Sequence, residues 1–449
     1  MSPVPARHRR RDLLRGLGSV GLVGLAGLAG AAPASAAPPR SRRRGTSTGA
    51  SLALIGAEIH VGDGTVIKDG TVIVRGERII AVGDASLGGA LAADATRVDL
   101  RGKLLTPGFI AADSHLGLVE IGMEPGTRDD SGGEGPIRAS YDAASAIRAR
   151  SSLVQVQAIE GITSAAVAPS GGLLSGQVAW VDLAYGKGEA LPTRPRIAVG
   201  GGLGQVVDGS RAATLAKLRR VIDDARLYRK LRGAHERRQL RDLAAHPRDL
   251  EALFPVLDRK VPLTLRAQGE SDIVAAIELA REEKLRLVII GGTEAWRVRE
   301  RLAQASVPVI VQPSENLPGS LDRLGARLDN AALLDAAGVE VGIAIFGEAH
   351  NLRNATQEAG IAVANGLPYE KALTGLSLTI ARAYGLEADY GTVSAGKIAN
   401  LVTWAGDPLE LEHFAAQVYV RGAAIPMVSR QTLLRERYRD LEAIRRRGR

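Results

Sequence analysis

Two short clusters in this chain pair a carboxylate with an imidazole two residues later: Asp113-Ser114-His115 and Glu348-Ala349-His350. If a fold brings them together, two imidazoles and two carboxylates have the donor types of a Zn, Mn or Fe site. Without a metal they could serve as an acid–base pair. The bland alternative is a buried, hydrogen-bonded His115, with Glu348-Ala349-His350-Asn351 capping the helix that follows. Arg266 and Gln312 stand at the ends of two apolar runs and could clamp a carboxylate. Arg266 would equally serve as an internal partner of Asp113. Gly171-Gly172-Leu173-Leu174-Ser175-Gly176 lacks the Gly-x-Ser-x-Gly order of a nucleophile elbow. Gly172 and Ser175 could still let a ligand approach the backbone, or simply form a turn. Gly200-Gly201-Gly202-Leu203-Gly204 lacks the spacing of a dinucleotide-binding loop. With no cysteine in 449 residues, thiolate nucleophiles, disulfides and Cys-ligated zinc are excluded.

Those residues need a scaffold, and the hydrophobic pattern changes twice along the chain. Between residues 51 and 106, short aliphatic runs at 52–55, 59–61, 71–74 and 79–82 alternate with Gly-Asp-Gly and Asp-Gly turns, which predicts an antiparallel β-meander. From Pro107 the runs at 287–290, 307–311 and 341–345 are almost wholly apolar, as strands buried on both faces should be. Helical periods lie between them, including Ile273, Ile277 and Ala280. This alternation predicts parallel βα units, six to eight of them between residues 107 and 387. Strand-like runs return at 391–393, 400–403 and 417–420. Residues 211–253 read as an inserted helical pair, and 431–449 as a basic terminal helix.

The first 36 residues read as an export signal. Arg10-Arg11-Asp12-Leu13-Leu14-Arg15 resembles a twin-arginine motif, a Gly/Ala/Leu/Val run follows, and Ala34-Ser35-Ala36 offers a small-x-small cleavage site. The expectation is an exported protein, periplasmic or extracellular, that uses the twin-arginine machinery, with residues 37–50 as a linker. A net charge of +9 is concentrated in Arg-rich ends. No aromatic–basic stacking platform accompanies it, so nucleic acid is not an expected partner.

Residues 98–110, Val-Asp-Leu-Arg-Gly-Lys-Leu-Leu-Thr-Pro-Gly-Phe-Ile, resemble the barrel entry of the amidohydrolase superfamily, in its imidazolonepropionase-like branch. Gly161-Ile162-Thr163 resembles its second barrel strand. Gly396-Lys397-Ile398-Ala399-Asn400-Leu401 resembles the return to its β-domain. The resemblance implies an α/β fold: a (β/α)8 TIM-like barrel over 107–387 with a small β-sandwich domain built from both chain ends, 51–106 and 388–430.

It also implies metal-assisted hydrolysis of non-peptide or cyclic C–N bonds by one or two divalent ions. The family's His-x-His here becomes Asp113-Ser114-His115. The strand-5 histidine becomes Arg266, the strand-6 histidine falls on Gly291-Gly292-Thr293, and the strand-8 aspartate becomes Phe346. Only His115, with Asp113, keeps a ligand position, whereas a catalytic zinc needs about three protein ligands. Arg266 adds a fixed positive charge that repels a divalent ion. Two readings follow. One is an exported hydrolase with a remodelled site, using Asp113, His115, Glu348 and His350, with or without one metal. The other is a non-catalytic relative that binds a small molecule, or supports an active paralogue or a second copy of itself. The residues favour a chain with no metal.

Overall fold

The computed structural model describes residues 51–90, 95–133, 135–186, 191–204, 209–315, 317–347 and 349–439. The export signal and linker expected before residue 51, and Glu348, lie outside them.

The opening strands are β1 (Ser51–His60), β2 (Val66–Arg75), β3 (Arg78–Gly83), β4 (Thr96–Asp99) and β5 (Leu104–Pro107). The two runs read as separate strands at 52–55 and 59–61 are one strand, β1, with its register shifted on either side of Ala57. Gly56 lies at that break with φ +83°, and a Cβ there would sit 2.7 Å from the Arg101 side chain. Strands β1, β2 and β3 form the expected antiparallel meander, while β4 and β5 pair with β1 in parallel.

The middle of the chain supplies β6 (Phe109–Ser114), β7 (Ile162–Val167), β8 (Leu174–Asp182), β9 (Thr193–Gly202), β10 (Leu263–Ala267), β11 (Leu287–Gly291), β12 (Val309–Val311) and β13 (Val341–Ile343). The chain closes with β14 (Leu401–Trp404), β15 (Ala415–Val420) and β16 (Ala423–Ala424). These last strands join the first sheet, in the order β16-β15-β14-β5-β1-β2-β3, so both chain ends contribute to it. Residues 391–393 are bends rather than a strand, although the Val393 N–H still donates to the Val61 carbonyl at 2.9 Å.

Strands β6 to β13 form the second sheet in sequence order. It is not βα units throughout. β8 runs antiparallel to both neighbours, while the remaining pairs are parallel. The physical reason is loop length: only six residues separate β7 from β8, and a parallel crossover needs about a dozen. Gly171 and Gly172, at φ +76° and +75°, reverse the chain there. The segment read as an inserted helical pair is the crossover between β9 and β10. Its long helix (Arg211–Glu236) buries Leu218, Val221, Ile222, Ala225 and Tyr228 along one face. Of the expected basic terminal helix, Arg430–Tyr438 is described.

The pleat sorts side chains to two cores. Phe109 and Ala111 of β6 face the helical layer, while Ile110 and Ala112 share the other core with Val178 and Trp180 of β8, Ile290 and Ile310. The sheet curls. Beyond β13, Gly347 bridges to Ser114 of β6, and the His115 N–H donates to the Gly347 carbonyl at 3.1 Å. The first strand therefore meets the segment that follows the last.

Candidate functional site

Where β6 ends, its register against β7 slips by one residue between Ala111 and Ser114. Asp113 occupies this bulge with φ 51°, a left-handed conformation that costs an L-residue about 1 kcal/mol and that Asp tolerates better than most. The bulge re-aims a carboxylate into the interior, where Asp113 is only 3% exposed. Arg266, from the end of β10, reaches it: Nε donates to Asp113 Oδ2 at 2.5 Å. The expected internal partnership is therefore present, and it occupies the guanidinium that was the other candidate for clamping a carboxylate. Tyr384 packs into the same interior, with its ring edge-on to Trp180 at 6.5 Å. Burial, and then the nearby Asp113 charge, push the Tyr384 phenol far above its ordinary range.

His115 follows directly. Its Nδ1 lies 3.8 Å from Asp130 Oδ2, and its Nε2 is buried with no hydrogen-bond partner among the described residues. Burial lowers the His115 pKa, the Arg266 charge lowers it further, and Asp113 and Asp130 only partly oppose them. The imidazole is thus held neutral, with one nitrogen available as donor or acceptor. Asp130 comes from the long loop after β6 and is 1% exposed. Arg128 Nε donates to it at 3.3 Å and Ser170 Oγ at 2.6 Å. Burial alone would raise the Asp130 pKa, but those two hydrogen bonds and the neighbouring cations outweigh it and the net shift is downward. No sequence signal singled out Asp130, because it lies in an aperiodic loop and depends on contacts from residues 40 positions away.

The other predicted residues fall around this cluster in different ways. Gln312 ends the segment after β12, and its amide is committed: Oε1 accepts from the Phe346 N–H at 3.2 Å and Nε2 donates to Ser314 Oγ at 3.3 Å. Gly172 turns the chain into β8, where a Cβ would lie 2.7 Å from the Pro136 carbonyl, and Ser175 is buried within β8. This glycine pair packs the strand reversal against the loop. His350 is exposed, and its carbonyl accepts from Gln157 of the helix Ser152–Ala158 at 3.2 Å. At the ends of β10 and β11, Gln268 Oε1 accepts from Thr293 Oγ1 at 2.7 Å, and Gly291 leaves room for that amide. Among the described residues, no three His, Asp or Glu side chains converge as a metal-ligand set.

A family model described as "Amidohydrolase family" matches residues 266–428. Imidazolonepropionase of Pseudomonas paraeruginosa is 44% identical over 57 residues, 13% of each chain. Amidohydrolase tasK of Hapsidospora irregularis is 36% identical over 124 residues, 25% of this chain and 12% of that protein. The matches thus span only about an eighth of either curated relative. In three dimensions the chain is similar to an amidohydrolase from Thermotoga maritima, with TM-score 0.73 and 24% identity over 84% of this chain and 99% of that one. That likeness is one of fold. Residues 266–428 thus match the amidohydrolase family model, a segment of the chain is similar to imidazolonepropionase, and the fold is similar to that of an amidohydrolase.

Proposed function

We propose that this chain is an exported member of the family's C–N hydrolase class in which the inherited metal site has eroded, so that the strand ends bind a small polar molecule rather than hydrolyse it with a metal. The observation that carries this reading is the Asp113–Arg266 ion pair. It places a permanent cation against the carboxylate standing where the family's first histidine ligand would be, and a divalent ion would have to displace it. Asp130 is likewise held by Arg128 and Ser170, which leaves His115 as the one uncommitted donor of the cluster. Among the described residues, a set of that size does not fit a divalent ion. What the cluster offers a ligand is a neutral imidazole beside a guanidinium, suited to an amide, lactam or imidazolone-like group that both donates and accepts hydrogen bonds.

The curled second sheet, with β6 joined to the segment after β13, supports a TIM-like barrel in which β8 takes one place in reverse. The first sheet, drawn from both chain ends, supports a composite β-domain beside it. The export route follows from the twin-arginine motif alone, and a paralogous or identical partner chain belongs to the same proposal.

The test is a turnover and binding screen of the purified protein against N-acyl amino acids, lactams and dipeptides, with and without added Zn or Mn. The reading predicts saturable binding lost in His115→Ala, and no turnover under either condition. Hydrolysis that rises in proportion to bound metal would overturn it. The remodelled-hydrolase reading retains one specific support, the unpartnered His115 Nε2, and the same screen decides it.

A further inference from the structure

At the opposite ends of the same strands lies a second concavity. The entries to β10, β11, β12 and β13 surround a cavity of about 600 Å³ lined by Arg259, Arg281, Lys284, Arg286 and Arg382 against a single carboxylate, Glu340. Arg382 is paired with Glu340 at 2.9 Å. Among the described residues, the other four cations have no ion-pair partner. Elsewhere on this surface arginines are routinely matched, as Arg219 is with Glu282 and Arg229 with Asp258.

Preference for helix ends explains only part of this concentration. Arg281 and Lys284 close the helix Glu270–Glu283, and Arg382 lies in the last turn of the helix Leu378–Ala383, where carbonyl groups favour cations. Arg286 has no such reason. It is half-buried in the lead-in to β11, and its guanidinium lies against Gly385, where a Cβ would come within 3.1 Å of Nη1. Gly385 leaves room for that side chain. An aliphatic wall of Ile277, Leu285 and Val307 completes the cavity.

We propose that this cavity binds a small polyanion, a phosphoanhydride group such as a di- or triphosphate on a compact molecule. A monoanion would leave most of the four unmatched cations facing one another, whereas a polyphosphate presents several oxygens to planar guanidinium forks. The concave shape suits a small ligand more than a nucleic-acid backbone, and the absence of an aromatic ring from its lining removes the usual platform for stacked bases. This site is independent of the Asp113–His115 cluster and of the function proposed there.

The test is calorimetric titration of the purified protein with inorganic tripolyphosphate at physiological salt. One equivalent should bind, and Arg286→Ala should weaken binding about tenfold, the usual size of one lost charge-assisted hydrogen bond. The pair Arg281→Glu and Lys284→Glu should abolish it. Arg220→Glu, on an exposed position of the helix Arg211–Glu236, removes a cation away from the cavity and should leave it unchanged. Circular dichroism and Tm confirm that each variant is folded. The proposal is overturned by an absence of saturable binding, by binding that survives the cavity substitutions, or by Arg220→Glu weakening it equally, which would mean that net charge alone is being read.

Discussion

The second sheet buries two carboxylates, one near each end, and they are treated in opposite ways. Asp182, 1% exposed, closes β8, and because β8 runs backward it lands beside the entries of its neighbours. Four side chains donate to it: Ser164 Oγ at 2.8 Å, Arg421 Nη1 at 2.7 Å, the Tyr390 hydroxyl at 3.0 Å and Asn400 Nδ2 at 3.2 Å. Asp113, 3% exposed, has among the described residues Arg266 as its one side-chain donor, and it sits on a strained bulge beside an imidazole whose buried nitrogen has no partner among them. A fully satisfied buried network fixes a structure. One with spare hydrogen-bonding capacity and backbone strain marks a place where a ligand can supply the missing partner. The Asp182 network draws Asn400 and Arg421 from the C-terminal part of the chain onto the second sheet, which is a structural task. The Asp113 cluster has no comparable task.

If that contrast is right, removing Asp182 does the most damage. Asp182→Ala takes this acceptor from the Arg421 guanidinium, the Asn400 amide and the Ser164 and Tyr390 hydroxyls and should cost about 3–5 kcal/mol in urea unfolding. A loss under 1 kcal/mol would dissolve the comparison. Arg266→Met exposes Asp113 as an unpaired buried charge. Because the Arg266 side chain is 30% exposed, water compensates in part, and the expected loss is about 2 kcal/mol. Adding Asp113→Asn, which keeps a residue tolerant of positive φ, should recover about 1 kcal/mol, a coupling that a double-mutant cycle reads directly.

A pH series sharpens the same contrast at His115. Its pKa in the folded chain lies below the ordinary 6.5, so the unfolded chain takes up the proton more readily. The stability this contributes is complete above pH 6.5 and is lost as pH falls through the window beneath it, with a slope of at most about 1.4 kcal/mol per pH unit. His115→Gln should flatten that slope. A slope unchanged by this substitution would assign the acid sensitivity elsewhere. The smallest effect is expected at Gly347, where φ is +70° and an added Cβ would stand 3.3 Å from the His115 ring. Gly347→Ala should cost about 1 kcal/mol and should weaken ligand binding at His115 more than its stability cost suggests.

Much of this was readable from residue order. Apolar runs longer than an alternating strand requires marked β11, β12 and β13, and Asp-Gly turns marked the opening meander, because burial on two faces or one writes itself into local periodicity. The reversal of β8 was not readable that way. Its residues alternate no differently from a parallel strand, and the information lies in a six-residue loop with two left-handed glycines. At the site, Asp113, His115 and Arg266 could be named only through the resemblance, from the positions where the amidohydrolase motifs place histidines, and the Asp113–Arg266 pairing was one of the two roles open to Arg266. Asp130 and Tyr384 could not, since each joins the cluster through contacts made only after the sheet curls. Gln312 illustrates the converse: a polar residue at a strand end looks available in sequence, yet it spends its amide on Phe346 and Ser314.

The central claim is that a guanidinium has replaced a metal's claim on Asp113, and elemental analysis tests it most directly. The protein should be purified without chelators, incubated with equimolar zinc, desalted and measured for bound metal beside His115→Ala. The account predicts well under a tenth of an equivalent in both proteins, about what nonspecific surface binding leaves. Near one equivalent in the parent protein, lost in His115→Ala, would contradict it and return the site to metal-assisted chemistry.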